Sequence, residues 1–212
     1  MEIFWAGVIT AAASYLLGSL NFAIILTHIF KKEDIRTYGS GNAGMTNVLR
    51  TYGFSLAIPT LIGDFGKGVL AVFIGRWVFE AFGVTALNGE YVGGLFVLIG
   101  HIFPLFFKFK GGKGAMTSLG IMALINYKVF LTVIIVAAII IATTRYVSLA
   151  SIIGAVVYPI STYIITVRLG TAPILDVVFA VMFAIMVIIM HRENIKRLIN
   201  GTERKFSIGN RK

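Results

Sequence analysis

Residues 39–50, GSGNAGMTNVLR, combine three glycines with neutral hydrogen-bonding side chains and end on one arginine. Glycine lets the backbone turn with positive φ and approach a ligand closely. Hydroxyl and amide groups beside a planar cation suit an oxyanion, and a helix that starts here would add backbone N–H groups. The segment therefore predicts a phosphate-binding loop, with a plain glycine turn and one membrane-facing arginine as the alternative. Its candidate ligand residues are Gly39, Ser40, Gly41, Asn42, Gly44, Thr46, Asn47 and Arg50.

The same glycines also fit the dinucleotide pattern G-x-G-x-x-G, and an acidic residue, Asp64, follows about 20 positions later. That pattern works only between a strand and a helix of a βαβ unit. Here the loop follows KKEDIRTY, which is not a strand pattern, and Asp64 lies inside an apolar stretch. The dinucleotide interpretation is therefore rejected.

A second glycine-rich segment, residues 100–118, reads GHIFPLFFKFKGGKGAMTS. It is not a Walker A loop, because Phe107 occupies the first glycine position and Gly114 follows the lysine where Ser or Thr is needed. Lys108 and Lys110 are interpreted as charges that flank a membrane span. Lys113 is enclosed by Gly112 and Gly114, and these three residues are the candidates for binding an anion.

Two later segments add polar groups. RYVSLAS contains Ser148 and Ser151, for which helix packing is the alternative role. HRENIKRLINGTE contains His191 and Asn194, which lie three residues apart and so share one helical face. The alternative for His191 is a polar residue at the membrane interface. We expect all four segments to meet on one membrane face.

The composition defines the elements that must position these groups. Hydrophobic residues make up 58% of the 212 residues and charged residues only 13%, whereas soluble domains have about 25% charged residues. The chain is therefore predicted to be an all-α integral membrane protein, a single domain over residues 1–212. Cysteine is absent, which excludes disulfides and thiolate chemistry.

Five stretches are long and apolar enough to span a bilayer, since a span needs roughly 20 apolar residues. They are residues 4–30, 54–82, 91–107, 147–167 and 174–190. Residues 115–144 are split at Asn126–Lys128 into two pieces, which form either two crossings or one long tilted span. With two crossings, all lysines and arginines except Lys67, Arg76, Lys128 and Arg168 fall on one side. The positive-inside rule then predicts seven transmembrane helices, an external N-terminus, a cytoplasmic C-terminus and glycine-rich cytoplasmic loops.

Asp64 and Lys67 are charged residues within a span, which is costly and marks a role. At positions i and i+3 of a helix they can pair with each other. A structural ion pair is preferred here over a substrate role. Gly63, Gly66 and Gly68 beside them predict close packing of another helix.

The three histidines and nine acidic residues have no metal-ligand spacing, and no G-x-S-x-G elbow is present. The sequence therefore predicts no metal, no cofactor and no charged catalytic triad.

These motifs resemble those of the bacterial membrane acyl-phosphate:glycerol-3-phosphate acyltransferases. Residues 39–50 are similar to the first family motif, residues 100–118 to the second and residues 191–203 to the third. GDFGKG and RYVSLAS are also similar to family segments, so the resemblance covers nearly the whole chain. One departure is Asn21 in GSLNFAI, where many members have proline.

The resemblance implies transfer of a long-chain acyl group from acyl phosphate to the 1-hydroxyl of sn-glycerol 3-phosphate, giving lysophosphatidic acid and phosphate. It implies a multi-pass enzyme of the bacterial cytoplasmic (inner) membrane, with an active site that faces the cytoplasm and no nucleic-acid partner. A monomeric form is compatible with it. Among the candidates, it implies catalytic roles for Ser40, Arg50, Lys113 and His191, and substrate binding by the other residues named above.

The missing triad then has a chemical explanation. Acyl phosphate is a mixed anhydride and already activated, so the protein chiefly has to position both substrates and stabilise developing charge. The attacking hydroxyl loses its proton either to His191 or to the departing phosphate, and the phosphate is preferred. The rival hypothesis is a transporter or channel for organic phosphate, which would place polar groups through the bilayer.

Overall fold

The computed structural model describes residues 1–168, 170 and 174–206, and the chain is helical with no strand among them. In chain order its helices are α1 Glu2–Ser19, α2 Phe22–Lys31, α3 Met45–Tyr52, α4 Phe54–Ala81, α5 Gly89–Ile102, α6 Ala115–Ile125, α7 Tyr127–Thr144, α8 Val147–Thr162, α9 Leu175–Met190 and α10 Arg192–Ile199. Short 3₁₀ turns cover Ile35–Thr37 and Leu105–Phe107, and a π turn, Tyr163–Val167, extends α8.

Five helical stretches are long and apolar enough to cross a membrane. A sixth is added if α9 and α10, which are bent by 60° at their junction, count as one span. The five stretches are Glu2–Lys31, Phe54–Ala81, Gly89–Phe107, Tyr127–Thr144 and Val147–Val167. Large apolar side chains point outward from several of them, such as Trp77, which is 71% exposed. The prediction of an all-α membrane protein is confirmed.

The described chain forms two compact units, residues 1–125 with α1 to α6 and residues 126–206 with α7 to α10. In the first unit, α5 packs against α1 and α4, and α6 packs against α4. In the second unit, α8 packs between α7 and α9, with the Tyr158 ring stacked on Phe183. Each unit carries some of the candidate site residues.

Glycines bring the helices of the first unit into backbone contact. A Cβ atom on Gly100 would lie 2.3 Å from the Tyr15 carbonyl oxygen, and one on Gly68 would lie 2.4 Å from that of Thr117. Such close approach suits helix packing in lipid, where hydrophobic burial between helices gives little driving force. The expectation of close packing is confirmed at Gly68, and also at Gly63, where a Cβ atom would lie 2.3 Å from Cγ of Phe22 on α2. Gly66 has no neighbour within 4 Å of a Cβ position.

The first apolar stretch is not one helix. It breaks between Ser19 and Phe22, because the Asn21 side chain accepts a hydrogen bond from the Ile24 N–H at 3.1 Å and caps α2. The Asn21 amide also donates to the Ala43 carbonyl at 3.3 Å. The residue that departs from the family pattern therefore starts a helix and supports the first glycine loop.

Two other helix boundaries bear on the sequence predictions. Residues 46–50 do not open the second span, because they belong to the separate helix α3, which is followed by Gly53 with φ of 78°. The predicted split of residues 115–144 is confirmed. Asn126 is extended (φ −151°, ψ 98°), and its side chain caps α7 by accepting from the N–H groups of Lys128 and Val129.

Candidate active site

The first glycine loop, residues 39–44, is held in shape by Asn47 of α3. The Asn47 amide donates to the carbonyl oxygens of Ile35, Tyr38 and Asn42, and its oxygen accepts from the Ser40 N–H at 3.0 Å. Asn47 was predicted to bind phosphate, but its side chain is 2% exposed and bonded to the loop's own backbone. Its observed contacts are those of a residue that shapes the loop.

Gly39 lies directly against this amide. Its φ is 57°, and a Cβ atom there would lie 2.2 Å from the Asn47 Oδ1. A side chain is therefore excluded both by the left-handed backbone and by the space available. Gly39 permits the turn that leaves the next residue, Ser40, exposed at the loop surface.

The other candidates of this segment follow on α3, which begins after Gly44. Thr46 and Arg50 lie one turn apart, so they share a face of the helix. Both are half-buried, as is Asn42 in the loop. The segment thus combines hydroxyl, amide and guanidinium groups at one surface of the first unit.

The second glycine loop, residues 108–114, returns to the end of α5. The N–H groups of Gly111 and Gly112 donate to the carbonyl oxygens of Ile102 and His101, each at 3.1 Å. Lys113 is half-buried and lies just before α6, between Gly112 and Gly114. Gly114 has φ of 86°, a conformation that favours glycine.

The two glycine loops meet at Gly112. A Cβ atom on Gly112 would lie 2.2 Å from His101 Nε2 and 2.7 Å from the carbonyl oxygen of Ala43, a residue of the first loop. The absence of a side chain therefore lets the two loops pack together. The expectation that these two motifs converge is confirmed within the first unit.

Behind the loops lies a buried group of three ionisable side chains. Lys67 Nζ is 3.0 Å from Asp64 Oδ1, and both side chains are 1% exposed, so the predicted ion pair is confirmed. Lys67 also donates to the carbonyl oxygens of Gly18 and Leu20, at 3.0 and 2.8 Å. These carbonyls belong to the C-terminal end of α1 and the break after it, where the helix dipole favours a cation.

His101 is the third member of this group, and the sequence analysis missed it. Its Nδ1 lies 3.5 Å from Asp64 Oδ1, and its Nε2 faces the Gly112 backbone. His101 is on α5 and Asp64 on α4, so no local spacing relates the two residues. The GH pair that opens the second motif was the only indication in the sequence.

In the second unit, Glu203 gathers the polar residues. Its Oε1 accepts from the Ser148 hydroxyl and the Asn194 amide, each at 2.8 Å, and its Oε2 accepts from Arg197 Nε at 2.7 Å. Burial alone would raise the pKa of the Glu203 carboxyl, but the hydrogen bonds from Arg197, Asn194 and Ser148 outweigh it and lower the pKa. Glu203 closes the third motif, but the sequence analysis did not select it.

Two more predicted residues lie in this unit. His191 is 5% exposed and caps the end of α9, with Nδ1 2.8 Å from the Val187 carbonyl oxygen. Since a carbonyl only accepts, Nδ1 carries the proton, and the lone pair of the neutral ring lies on Nε2. The Ser151 hydroxyl donates to the Val147 carbonyl of its own helix at 3.0 Å.

Comparison with known proteins places this arrangement in a family. The model of the glycerol-3-phosphate acyltransferase family matches residues 8–201. Glycerol-3-phosphate acyltransferases of Clostridioides difficile and Thermoanaerobacter pseudethanolicus are each 41% identical to the chain. The first match covers 100% of both sequences, and the second covers 93% of this chain and 94% of the relative.

Two solved structures are similar over nearly their whole length. Crystal structures of PlsY (YgiH), an integral membrane glycerol 3-phosphate acyltransferase, match with TM-scores of 0.84 for its glycerol 3-phosphate form and 0.81 for its lysophosphatidic acid form. Sequence identity is 33% and 32%, and both matches cover 95% of this chain, with 96% and 95% of the PlsY chain. On its sequence, its helices and its two packed glycine loops, the chain belongs to the glycerol-3-phosphate acyltransferase family.

Proposed function

We propose that the protein transfers a long-chain acyl group from acyl phosphate to the 1-hydroxyl of sn-glycerol 3-phosphate, giving lysophosphatidic acid and inorganic phosphate. The observation that carries this proposal is the full-length match to glycerol-3-phosphate acyltransferases, in a chain that packs two cation-bearing glycine loops together at Gly112 and Ala43. Both substrates are phosphate esters or anhydrides, and one has a long acyl chain that the bilayer can hold.

Phosphate binding is assigned first to the loops of the first unit. Arg50 offers a planar fork to phosphate oxygens, and Lys113 offers a point charge enclosed by glycines. Ser40 and the neutral groups around it add hydrogen bonds without adding charge. The other residues assigned to phosphate binding in the two glycine loops and at the start of α3 carry no charge: Gly39, Gly41, Asn42, Gly44, Thr46, Gly112 and Gly114. Asn47 supports them by shaping the first glycine loop.

In the second unit we assign substrate binding to Ser148, Ser151, His191 and Asn194. Ser148 and Asn194 both bond to Glu203, which orients their side chains. The family model covers residues 8–201 and thus spans both units, which supports one catalytic domain rather than two independent ones. The domain is proposed to act as a monomer.

The reaction needs no protein nucleophile. The 1-hydroxyl oxygen attacks the acyl carbonyl carbon, and the bond from that carbon to the phosphate oxygen breaks. The departing phosphate takes the hydroxyl proton, so the products balance without a protein base. Arg50 and Lys113 stabilise the charge that develops on the phosphate. His191 is the alternative base, because its Nδ1–H bond to Val187 leaves the lone pair on Nε2.

The proposed topology has seven crossings, with the N-terminus outside, the C-terminus in the cytoplasm and the glycine loops facing the cytoplasm. The location is the bacterial cytoplasmic membrane. Contacts at the opposite end of the first unit support α6 as a crossing. Arg76 near the end of α4 forms an ion pair of 2.8 Å with Glu90 at the start of α5, and donates to the Leu124 carbonyl near the end of α6 at 3.0 Å.

Purified protein in detergent tests the reaction. We expect lysophosphatidic acid and phosphate to form in equal amounts from acyl phosphate and glycerol 3-phosphate, and no product from acyl-CoA. A phosphate transporter would show no turnover in detergent, because transport requires two compartments. Turnover with acyl-CoA alone would show that the acyl donor is wrong, whereas no turnover with either donor would contradict the acyltransferase function.

A further inference from the structure

Arg36 connects the segment before the first glycine loop to the start of the second. It lies in the 3₁₀ turn Ile35–Thr37, and its Nη1 donates to the carbonyl oxygens of Phe107 and Lys110, at 2.9 and 3.0 Å. From its sequence position, Arg36 was assigned only to the positive-inside charge. Its hydrogen bonds to two backbone carbonyls define a more specific role than that charge requires.

Asp34 fixes the direction of the guanidinium. Arg36 Nε lies 3.0 Å from both Asp34 carboxylate oxygens, and Nη2 lies 2.7 Å from Oδ2. Asp34 also accepts from the Arg36 N–H at 2.9 Å and so caps the turn. Arg36 lowers the pKa of Asp34 by these hydrogen bonds, so the carboxylate stays charged at neutral pH. The planar guanidinium is thereby held edge-on to the loop carbonyls.

The backbone held by Arg36 is the strained part of the second glycine loop. Lys108 and Phe109 lie between the two bonded carbonyls, and both have φ of 57°, which non-glycine residues rarely adopt. Such conformations persist when surrounding contacts over-determine them. Gly111 and Gly112 follow at once and lead to Lys113. Because only these two glycines separate Lys110 from Lys113, a displacement of the Lys110 backbone would shift the segment that carries Lys113.

We infer that Arg36, oriented by Asp34, is a positioning residue that sets the location of the Lys113 ammonium by fixing the second glycine loop against the first. Arg36 itself does not contact the substrate. This inference rests on the proposed function, because it assigns Lys113 to phosphate binding. The Asp34–Arg36 pair, which precedes the first motif, thereby acts on the site through Lys113.

A double-mutant cycle separates positioning from general stability. We expect Arg36→Ala to lower kcat/KM roughly ten- to hundredfold, since misplacing a catalytic group by about 1 Å has effects of this size. Arg36→Lys and Asp34→Asn should each cause a smaller loss of kcat/KM than Arg36→Ala. In a Lys113→Ala background, Arg36→Ala should change kcat/KM by less than about twofold, because non-additivity marks residues that act through one another. Independent, multiplicative losses would overturn the inference.

Lys110→Ala is the matched control, because it removes a cation from the same loop but keeps the carbonyl that Arg36 binds. It should retain wild-type activity. The kcat/KM values are compared only among variants that have the same thermal stability in detergent. If Arg36→Ala fails to fold, Asp34→Asn replaces it in the cycle.

A second readout does not depend on the proposed reaction. The chain has no cysteine, so Lys113→Cys supplies a single thiol in the second glycine loop. Arg36→Ala should raise its rate of maleimide labelling severalfold, and Lys110→Ala should not. An unchanged labelling rate would overturn the positioning role even in an active enzyme. A changed rate in a protein without acyltransferase activity would instead support the Arg36 contact and reject the proposed function.

Discussion

The ammonium of Lys67 lies 3.0 Å from the carboxylate of Asp64, one turn away on the same helix, and each side chain is 1% exposed. Lys67 also binds the carbonyls of Gly18 and Leu20, where the first apolar stretch breaks. The ion pair therefore joins α4 to the end of α1. Because charges buried in apolar surroundings are costly unless paired, each partner depends on the other.

Thermal unfolding of Asp64→Ala, Lys67→Ala and the double variant tests this dependence. Each single change should lower the free energy of unfolding by roughly 3–5 kcal/mol, the usual cost of leaving one buried charge unpaired. The double variant should lose much less than the sum of the two. The double variant will still be less stable than wild type, because the carbonyls of Gly18 and Leu20 lose their hydrogen-bond donor. Strict additivity would show that the pair is not coupled.

The local part of this arrangement could be predicted from the sequence. The i, i+3 spacing of Asp64 and Lys67 defines their contact within one helix, and Asn126 marks the split between two apolar pieces. The motif around Gly39 and the motif around Lys113 also meet as expected, at Gly112. These features depend on helix periodicity, capping or the glycine pattern, which one sequence carries.

The rest depends on long-range contacts that no spacing encodes. His101 meets Asp64 from another helix, and Glu203 receives hydrogen bonds from Ser148, on a helix far earlier in the chain. Arg36 looks like any other loop cation in the sequence, and its bonds to Asp34 and to two distant carbonyls are seen only in the folded chain. The break at Asn21 is hidden in the sequence because the apolar composition continues through it. The boundary between α3 and α4 is hidden because a single glycine, Gly53, forms it.

Glu203 predicts a pH dependence of stability. Its pKa lies below the ordinary value of 4.5 in the folded state, so its stabilising effect is complete above that value and is lost as the pH falls through the folded pKa. Glu203→Gln should be less stable than wild type at pH 7, because Arg197 loses its charged acceptor. The difference in Tm should narrow as the pH falls below 4.5 and through the folded pKa of Glu203. A difference that stays constant from neutral to acidic pH would contradict this role.

The proposed seven-crossing topology predicts the accessibility of single cysteines, and the cysteine-free chain needs no background substitutions. Lys128→Cys should react with a membrane-impermeant maleimide in intact spheroplasts, because Lys128 is exposed just after the start of α7. Lys108→Cys and Lys196→Cys should react only after the membrane is opened. An unreactive Lys128→Cys would instead favour one long span over residues 115–144.

Substitution of Arg50 tests the central claim that the first glycine loop binds a phosphate group. A lysine offers a point charge without the bidentate geometry of a guanidinium, so it should replace Arg50 poorly if phosphate recognition is the role. If Arg50 only anchors the loop at the membrane surface, lysine should serve equally well. Lys31→Ala, an exposed cation at the end of α2, is the control and should be nearly neutral.

The most direct measurement is steady-state phosphate release from acyl phosphate and glycerol 3-phosphate by purified wild type, Arg50→Lys and Arg50→Ala. Loss of a charged hydrogen bond costs about 1.5–3 kcal/mol, which corresponds to roughly a ten- to hundredfold fall in kcat/KM. We predict that fall for both variants, with normal folding and membrane insertion. Wild-type turnover in Arg50→Lys would contradict the assignment of this loop as the phosphate site.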